Sequence, residues 1–428
     1  MRRTLGLLVT LLLLLAVLPT QIAGAAAAPG HAATASAGGG SFCQGLRTRL
    51  LHGGGSASGL FVIDARSGKA LCARAAKRQR PLASNTKLFT TATVLSRFGP
   101  EATIATKVLK SGEIDDGGVL HGDLYLQGAG DPALGTPAFY NRFMGGLGTD
   151  LYALQRQVKA AGLTSVTGRL YADDDVFDRR RGVADSSYAT SPYIGPLSGL
   201  SLNSGYSTAD AGSFATDPAL VAASKLRASL NSSGVEIDRA VALGNTPEDR
   251  AETVAVVQSP SIDALVNNTD VYSNNFFAEM LLKLLGAEFG TAGTTAAGAT
   301  VVEEFARSRG TGLNSVDGSG LTRGNRASPR QVVRLLRAMR TAPVGDDFVD
   351  DLALTGREGT VAQRMRGTAA EARCRVKTGT LTGVSNLSGY CFNASGREVI
   401  FSVLMGSVGS LDSAHYEQDR IAAAVAGL

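Results

Sequence analysis

Histidine is scarce in this chain. There are four among 428 residues (His31, His52, His121 and His415), and none lies in a catalytic or metal-binding motif. No H-E-x-x-H is present, which removes the helix-borne zinc peptidases. No G-x-S-x-G is present either, so a Ser-His-Asp hydrolase has no motif to stand on. Cysteine is limited to Cys43, Cys72, Cys374 and Cys391, with no C-x-x-C pair to suggest zinc. Charged residues make up only 18% of the chain and the formal net charge is +5. That excess is too small to argue for nucleic acid and supports at most a weak preference for anionic surfaces. Lysine is rare beside arginine, so each of the nine lysines stands out, Lys87 and Lys377 among them.

What is present is enough apolar residue (44%) for a large core and two or three domains. Residues 1–25 read as a secretory leader: Arg2 and Arg3, an apolar run from Leu5 to Leu18, then Ala23-Gly24-Ala25. That run is short for a spanning helix, and no other segment could span a bilayer. Export permits disulfides. Four cysteines allow three pairings; Cys374 and Cys391 flank an expected strand pair, so they are expected to join each other, leaving Cys43 to Cys72.

Residues 26–41, rich in Ala, Gly and Ser, read as a flexible linker, followed by a short helix over 42–51. A strand pair is expected around the turn at 66–69. A helix follows, with Leu88, Ala92 and Leu95 as its apolar stripe and Gly99-Pro100 as its stop. Residues 100–258 change character: strand-like runs and two helix-then-strand stretches (151–172 and 219–243) read as an inserted domain region. Gly128-Ala-Gly-Asp-Pro-Ala133 formally fits G-x-G-x-x-A, but Pro132 and Pro137 make it a turn, so no dinucleotide and no other cofactor is expected. Helices return at 261–268, 275–285 (stopped by Gly286), 295–308 and 329–340. Three strands, 374–380, 383–393 and 398–405, and a closing helix, 413–425, complete the chain. The expected fold is α/β of the α+β kind. One antiparallel sheet is built from residues 42–99 and 259–428 and flanked by helices, with 100–258 inserted.

The chemistry starts at Pro81-Leu-Ala-Ser84-Asn-Thr-Lys87, where a hydroxyl and an amine stand three residues apart at a helix start. They share one helical face, and the unpaired N–H groups of a helix N-terminus favour developing negative charge. That suits a serine nucleophile with an amine base. S-x-x-K alone is a weak pattern. Ser273-Asn274-Asn275 adds S-x-N on a loop between helices, and Lys377-Thr378-Gly379, followed by Thr380, adds K-T-G on a strand. Three motifs in that order and in those settings make the signature of penicillin-binding proteins and serine β-lactamases.

From about Cys43 to Leu428 the chain resembles the class C low-molecular-mass penicillin-binding proteins, the D-alanyl-D-alanine carboxypeptidase/endopeptidase group. Gly122-Asp-Leu-Tyr-Leu, Gly168-Arg-Leu-Tyr-Ala-Asp173, Asp317-Gly-Ser-Gly-Leu-Thr-Arg-Gly-Asn325 and Leu387-Ser-Gly-Tyr390 carry the likeness, with a long insertion between Lys87 and Ser273. The resemblance implies a β-lactamase/transpeptidase-like fold and an acyl-enzyme on Ser84, with Lys87 as base at a lowered pKa. Ser273 would relay a proton and Asn275 would position Lys87. Lys377, Thr378, Gly379 and Thr380 would line the carboxylate site, and the N–H groups of Ser84 and Thr380 would form the oxyanion hole. Asp173 would contact the free amino end of a peptide side chain. Peptidoglycan stem peptides and, as covalent inhibitors, β-lactams would be the ligands, on the wall side of the membrane. Two other readings stand beside it. One is a serine β-lactamase or esterase on the same scaffold, for which no E-x-x-L-N segment follows Ser273; the other is a non-catalytic wall-binding protein.

Overall fold

The computed structural model describes residues 37–428. The leader and most of the linker lie outside the described residues. The last five linker residues are helical instead: helix α1 spans Ala37–Gly54 and runs past the expected end at 51. Strands β1 (Gly59–Asp64) and β2 (Ala70–Arg74) form the expected pair. A single 3₁₀ turn, Ala83–Thr86, leads into α2 (Lys87–Phe98), which ends at Gly99 in a positive-φ conformation.

The segment between α2 and residue 259 builds a second sheet. Its strands are β3 (Ala105–Ile114), β4 (Val119–Gln127), β5 (Leu170–Asp173), β6 (Ala242–Leu243) and β7 (Glu252–Gln258), in the order β6-β5-β4-β3-β7. Helices α3 (Leu151–Ala160) and α4 (Pro218–Ser232) pack on it around a core of their own that includes Leu124, Leu154, Leu170 and Leu226. The strand expected at the end of the 219–243 stretch shrinks to two residues. Residues 237 and 238 serve α4 instead, with Arg227 and Asn231 hydrogen-bonding the Ile237 backbone and Arg227 the Asp238 carbonyl.

The chain then returns through α5 (Ile262–Val271), α6 (Asn275–Phe289), α7 (Thr295–Ser308) and α8 (Pro329–Arg340). A short β8 (Ala353–Leu354) precedes β9 (Cys374–Leu381), β10 (Val384–Phe392) and β11 (Glu398–Gly406), and α9 (Leu411–Ala426) closes the chain. The main sheet has the order β8-β9-β10-β11-β1-β2, so both chain ends meet in it, as expected. β10 and β11 are buried along nearly their whole length because helices cover both faces. One core joins the sheet to α2, α5, α6, α7 and α8; the other joins it to α1 and α9. Both disulfides form as expected, Cys374–Cys391 across β9 and β10 and Cys43–Cys72 from α1 to β2. No helix among the described residues is long and apolar enough to cross a membrane.

Two expectations fail at α5 and α6. The loop expected over 269–274 shortens to Tyr272–Asn274 because α5 continues to Val271, capped by Ser261. Gly286 does not stop α6. It lets α7 approach: a Cβ there would lie 2.8 Å from the Gly298 nitrogen, and one on Gly298 would lie 2.0 Å from the Leu282 carbonyl oxygen. The close crossing outweighs the intrinsic helix penalty of glycine, about 1 kcal/mol. Gly298→Ala is therefore expected to destabilise the protein by ~1–3 kcal/mol despite alanine's better helix propensity. Urea unfolding measures this, and an unchanged midpoint would show that α6 and α7 can separate freely.

Candidate active site

Ser84 sits in the 3₁₀ turn just after Ala83, which is held at φ 47°. A non-glycine residue there is strained, and it persists because the turn is tied from several sides. The Leu82 N–H donates to Asn325 O, and Asn386 Nδ2 donates to Leu82 O at 2.7 Å. Asn85, wholly buried, donates from Nδ2 to Lys377 O at 3.0 Å and accepts from Ser388 Oγ at 2.7 Å. These bonds fasten the start of α2 to β9 and β10.

The pairing of β9 then explains the glycine of K-T-G. A Cβ on Gly379 would stand 3.1 Å from the backbone nitrogens of Ser84 and Asn85 and 2.9 Å from Leu82 O. Only glycine lets the strand lie this close to the serine. The outer edge of β9 is open beyond β8, which pairs only as far as Val376. Thr355 N–H bonds Cys374 O on that edge, and antiparallel alternation turns the backbone groups of Thr378 and Thr380 the same way. The N–H group of Thr380 thus faces the open edge of β9. Thr378 Oγ1 bonds Thr360 Oγ1 at 2.9 Å, and Thr380 is exposed.

Lys87 is wholly buried, one turn below Ser84. Its Nζ lies 3.2 Å from Ser84 Oγ, 2.7 Å from Asn275 Oδ1 and 2.8 Å from Ser319 O. The last two can only accept. A neutral amine gives them its two N–H bonds and leaves its lone pair for the Ser84 hydroxyl. Burial, and then the nearby Lys377 ammonium, bring Lys87 down to about 7. Lys377 is also wholly buried, and burial lowers it to about 8. Asn275 Nδ2 donates to Tyr193 O at 3.0 Å, which fixes the amide with its oxygen toward Lys87. Ser273, at φ 58°, is half-buried, and its hydroxyl makes no hydrogen bond among the described residues. Asn274, the middle of S-x-N, is the N-cap of α6, accepting from Phe277 N–H. Ser84, Lys87 and Asn275 are thus hydrogen-bonded together from a turn and two helices, with Lys377 of β9 close enough for its charge to act on Lys87, while Ser273 stands on the short loop just before α6.

Asp173 does not join them. It is 2% exposed, and Oδ2 accepts from Thr246 N and Oγ1 at 2.8 and 2.6 Å while Oδ1 accepts from Asp175 N. A carboxylate so buried and engaged pins the end of β5 and does not face a peptide amine in solvent. Asp175 is the solvent-facing member of the three.

The sequence motifs missed a supporting layer. Glu279 is buried and accepts from Gly318 N and Ser319 N, the latter at 2.7 Å, so it aims the Ser319 carbonyl at Lys87. Asp317 accepts from Gly320 N, Thr322 N and Asn325 Nδ2 in the same loop. Burial pushes both carboxyls up, and the Asp317 charge raises Glu279 further. Their signal was legible: Asn275, Glu279 and Lys283 form an i, i+4, i+8 polar stripe on an otherwise apolar helix. Asp270, behind both lysines, has a different signature. Thr91 Oγ1 lies 2.7 Å from Lys87 O and 2.7 Å from Asp270 Oδ2. One hydroxyl proton cannot serve two acceptors, so both contacts are hydrogen bonds only when Asp270 carries a proton. Asp270 Oδ1 has no partner, and burial raises the group to about 6.

No group of His, Cys, Asp and Glu among the described residues is arranged to hold a metal ion. Comparison with known proteins agrees with this geometry. The family model described as D-Ala-D-Ala carboxypeptidase 3 (S13) matches residues 46–216 and 207–426. A D-alanyl-D-alanine carboxypeptidase of Actinomadura sp. (strain R39) is 33% identical over 82% of this chain and 78% of its own length. Carboxypeptidase DacB of Mycolicibacterium smegmatis is 28% identical over 81% of this chain and 76% of its own. Penicillin binding protein 4 of Haemophilus influenzae shares the fold at a TM-score of 0.73, with 19% identity over 90% of this chain and 97% of its own; that protein has also been solved with a β-lactam. The helix, loop and strand that carry the three motifs, together with matches along nearly all of residues 46–426, place the chain in the D-Ala-D-Ala carboxypeptidase 3 (S13) family.

Proposed function

We propose that the protein is a serine D-alanyl-D-alanine carboxypeptidase that cleaves the terminal D-Ala from peptidoglycan stem peptides through an acyl-enzyme on Ser84. The observation that carries this is Lys87 Nζ, held between Ser84 Oγ and the two acceptors Asn275 Oδ1 and Ser319 O. As Ser84 Oγ attacks the carbonyl carbon of the penultimate D-Ala, its proton passes to Lys87. The Ser84 and Thr380 N–H groups hold the oxyanion. Ser273, with its hydroxyl free, carries the proton to the departing amine, and D-Ala leaves. Water then attacks the ester, with Lys87 again as base, and frees Ser84. Lys377, with the hydroxyls of Thr378 and Thr380, draws the substrate's terminal carboxylate, while Gly379 lets β9 lie beside Ser84. A cross-linked peptide presents the same bond with another stem's amine as leaving group, so endopeptidase action needs no new residue. A β-lactam enters as a cyclic analogue of the same amide and stays as the ester. Residues 1–25 and the two disulfides support action outside the cytoplasm.

Ser84→Ala is expected to abolish labelling by a fluorescent penicillin while the unfolding midpoint stays within ~0.5 kcal/mol of wild type; covalent label on the variant would overturn the assignment. Gly379→Ala pushes β9 off the serine, and its acylation rate should fall ~10²-fold. An unchanged rate would show that the close approach is dispensable. The pH profile follows from Lys87. Protonated, it cannot accept from Ser84, so acylation is high above about 7 and falls roughly tenfold per unit below it. An ionised Asp270 favours the charged form of Lys87. Asp270→Asn should therefore move that acid limb down by ~0.5–1 pH unit; a limb that moves up would refute this electrostatic reading.

A further inference from the structure

Far from Ser84 lies a cleft of about 1200 Å³ bounded by α8, the end of α7 and the β1–β2 and β10–β11 turns. Six arginines line it against two acids, Asp64 and Glu398. That is a local excess of four positive charges, where the whole chain carries +5. The charge is therefore concentrated here rather than spread over the surface. Both acids are already committed: Arg397 Nε donates to Asp64 at 2.8 Å, and Arg340 Nε to Glu398 at 3.0 Å. These pairs stiffen the walls. The other four guanidinium groups, on Arg66, Arg309, Arg334 and Arg337, make no hydrogen bond and no ion pair among the described residues.

Two details show that the cleft is shaped. Gly68, at φ +70°, leaves room for Arg337 to lie across the β1–β2 turn; a Cβ there would be 2.4 Å from Arg337 Nη1. Arg309 stacks on the Phe305 ring at 5.0 Å, and its Nε is buried with no partner. Four like charges held around one space repel, and an anion removes that cost. Guanidinium forks match the oxygens of phosphate bidentately. The space is several times larger than one phosphate fills, so a chain of phosphates suits it better than a single ion. No aromatic side chain lines it. Nucleic-acid bases would find no stacking platform.

We propose that this cleft binds a base-free phosphodiester polymer, such as a chain of polyol phosphate units, at a site separate from the Ser84 cleft. The two share no residue. The register sets Thr380 level with Ser385, Met405 and the start of β1, while the arginine cleft lies at the Asp64 end, ~17 Å along the strand and three strands across. A polymer held there leaves the serine open, so the enzyme can be tethered to phosphate-bearing material while it works on peptide.

The test is titration of the full chain, by calorimetry at low salt, with a glycerol-phosphate oligomer, inorganic phosphate, and a single-stranded oligodeoxynucleotide of the same charge. Saturable one-to-one binding of the oligomer is expected, tighter than that of either comparison. Arg334→Ser with Arg337→Ser should weaken it at least tenfold and lower the log–log salt slope by about 1.4. The exposed pair makes no hydrogen bond or ion pair among the described residues, so acylation by fluorescent penicillin should stay at the wild-type rate, which certifies the fold whatever the binding result. Absence of saturable binding, or binding unchanged in the double variant, overturns the site. Inorganic phosphate binding as tightly overturns the polymer, and the oligonucleotide binding as tightly overturns the base-free class.

Discussion

A lysine amine that has been stripped of water governs the rest of this structure. Placing Lys87 in the interior costs several kcal/mol if it stays charged, so the protein lowers its pKa instead and supplies acceptors only for the neutral form's two N–H groups. Once those acceptors are placed, the lone pair has one direction left, toward Ser84. The elements nearby can be read as means of keeping these few atoms in register. Glu279 aims the Ser319 carbonyl, Tyr193 O turns the Asn275 amide, and Asn85 ties the serine turn to β9 and β10. Each of these polar groups is worth ~1–3 kcal/mol if left unpaired, so the network resists partial loss.

The same constraint explains why so much ionisable chemistry lies inside. Lys377 approaches Lys87 without a direct carboxylate partner, and Asp270 stands behind both with one oxygen unpartnered. The Lys377 charge holds Lys87 toward neutrality, while the carboxyl behind both amines opposes that effect only when ionised. The balance of three buried groups thus sets the pH at which the serine is activated.

The second sheet has a part in the site although none of its strands enters it. Its loops carry Tyr193, which orients Asn275, and Asp178, which pairs with the wholly buried Lys283 at 2.6 Å. Leaving that lysine unpaired would cost about 3–5 kcal/mol. The polar stripe of α6 therefore faces catalysis at one end and the inserted segment at the other. This gives the long insertion a mechanical hold on the catalytic helix.

Much of this was legible in the residues. The apolar periods located most helices and strands to within a few positions, and strand placement paired Cys374 with Cys391, leaving Cys43 to Cys72. The three short motifs contain Ser84, Lys87, Asn275 and Lys377, which the fold brings near one another. Their limits were local. Gly286 reads as a helix stop but is a contact surface, because only the packed fold brings α7 against it. Asp173 reads, by resemblance, as a contact for a peptide amine, but Thr246, more than 70 residues later, occupies its carboxylate. The sequence by itself determined which chemical groups were on hand and the secondary structure that carries them, since both follow from side-chain type and short-range periodicity. Tertiary structure alone decided that Lys87 is neutral enough to act, that Gly379 touches the serine turn and that Asp270 lies behind both amines. Burial, distance and shared protons arise only between segments that the chain brings together after folding.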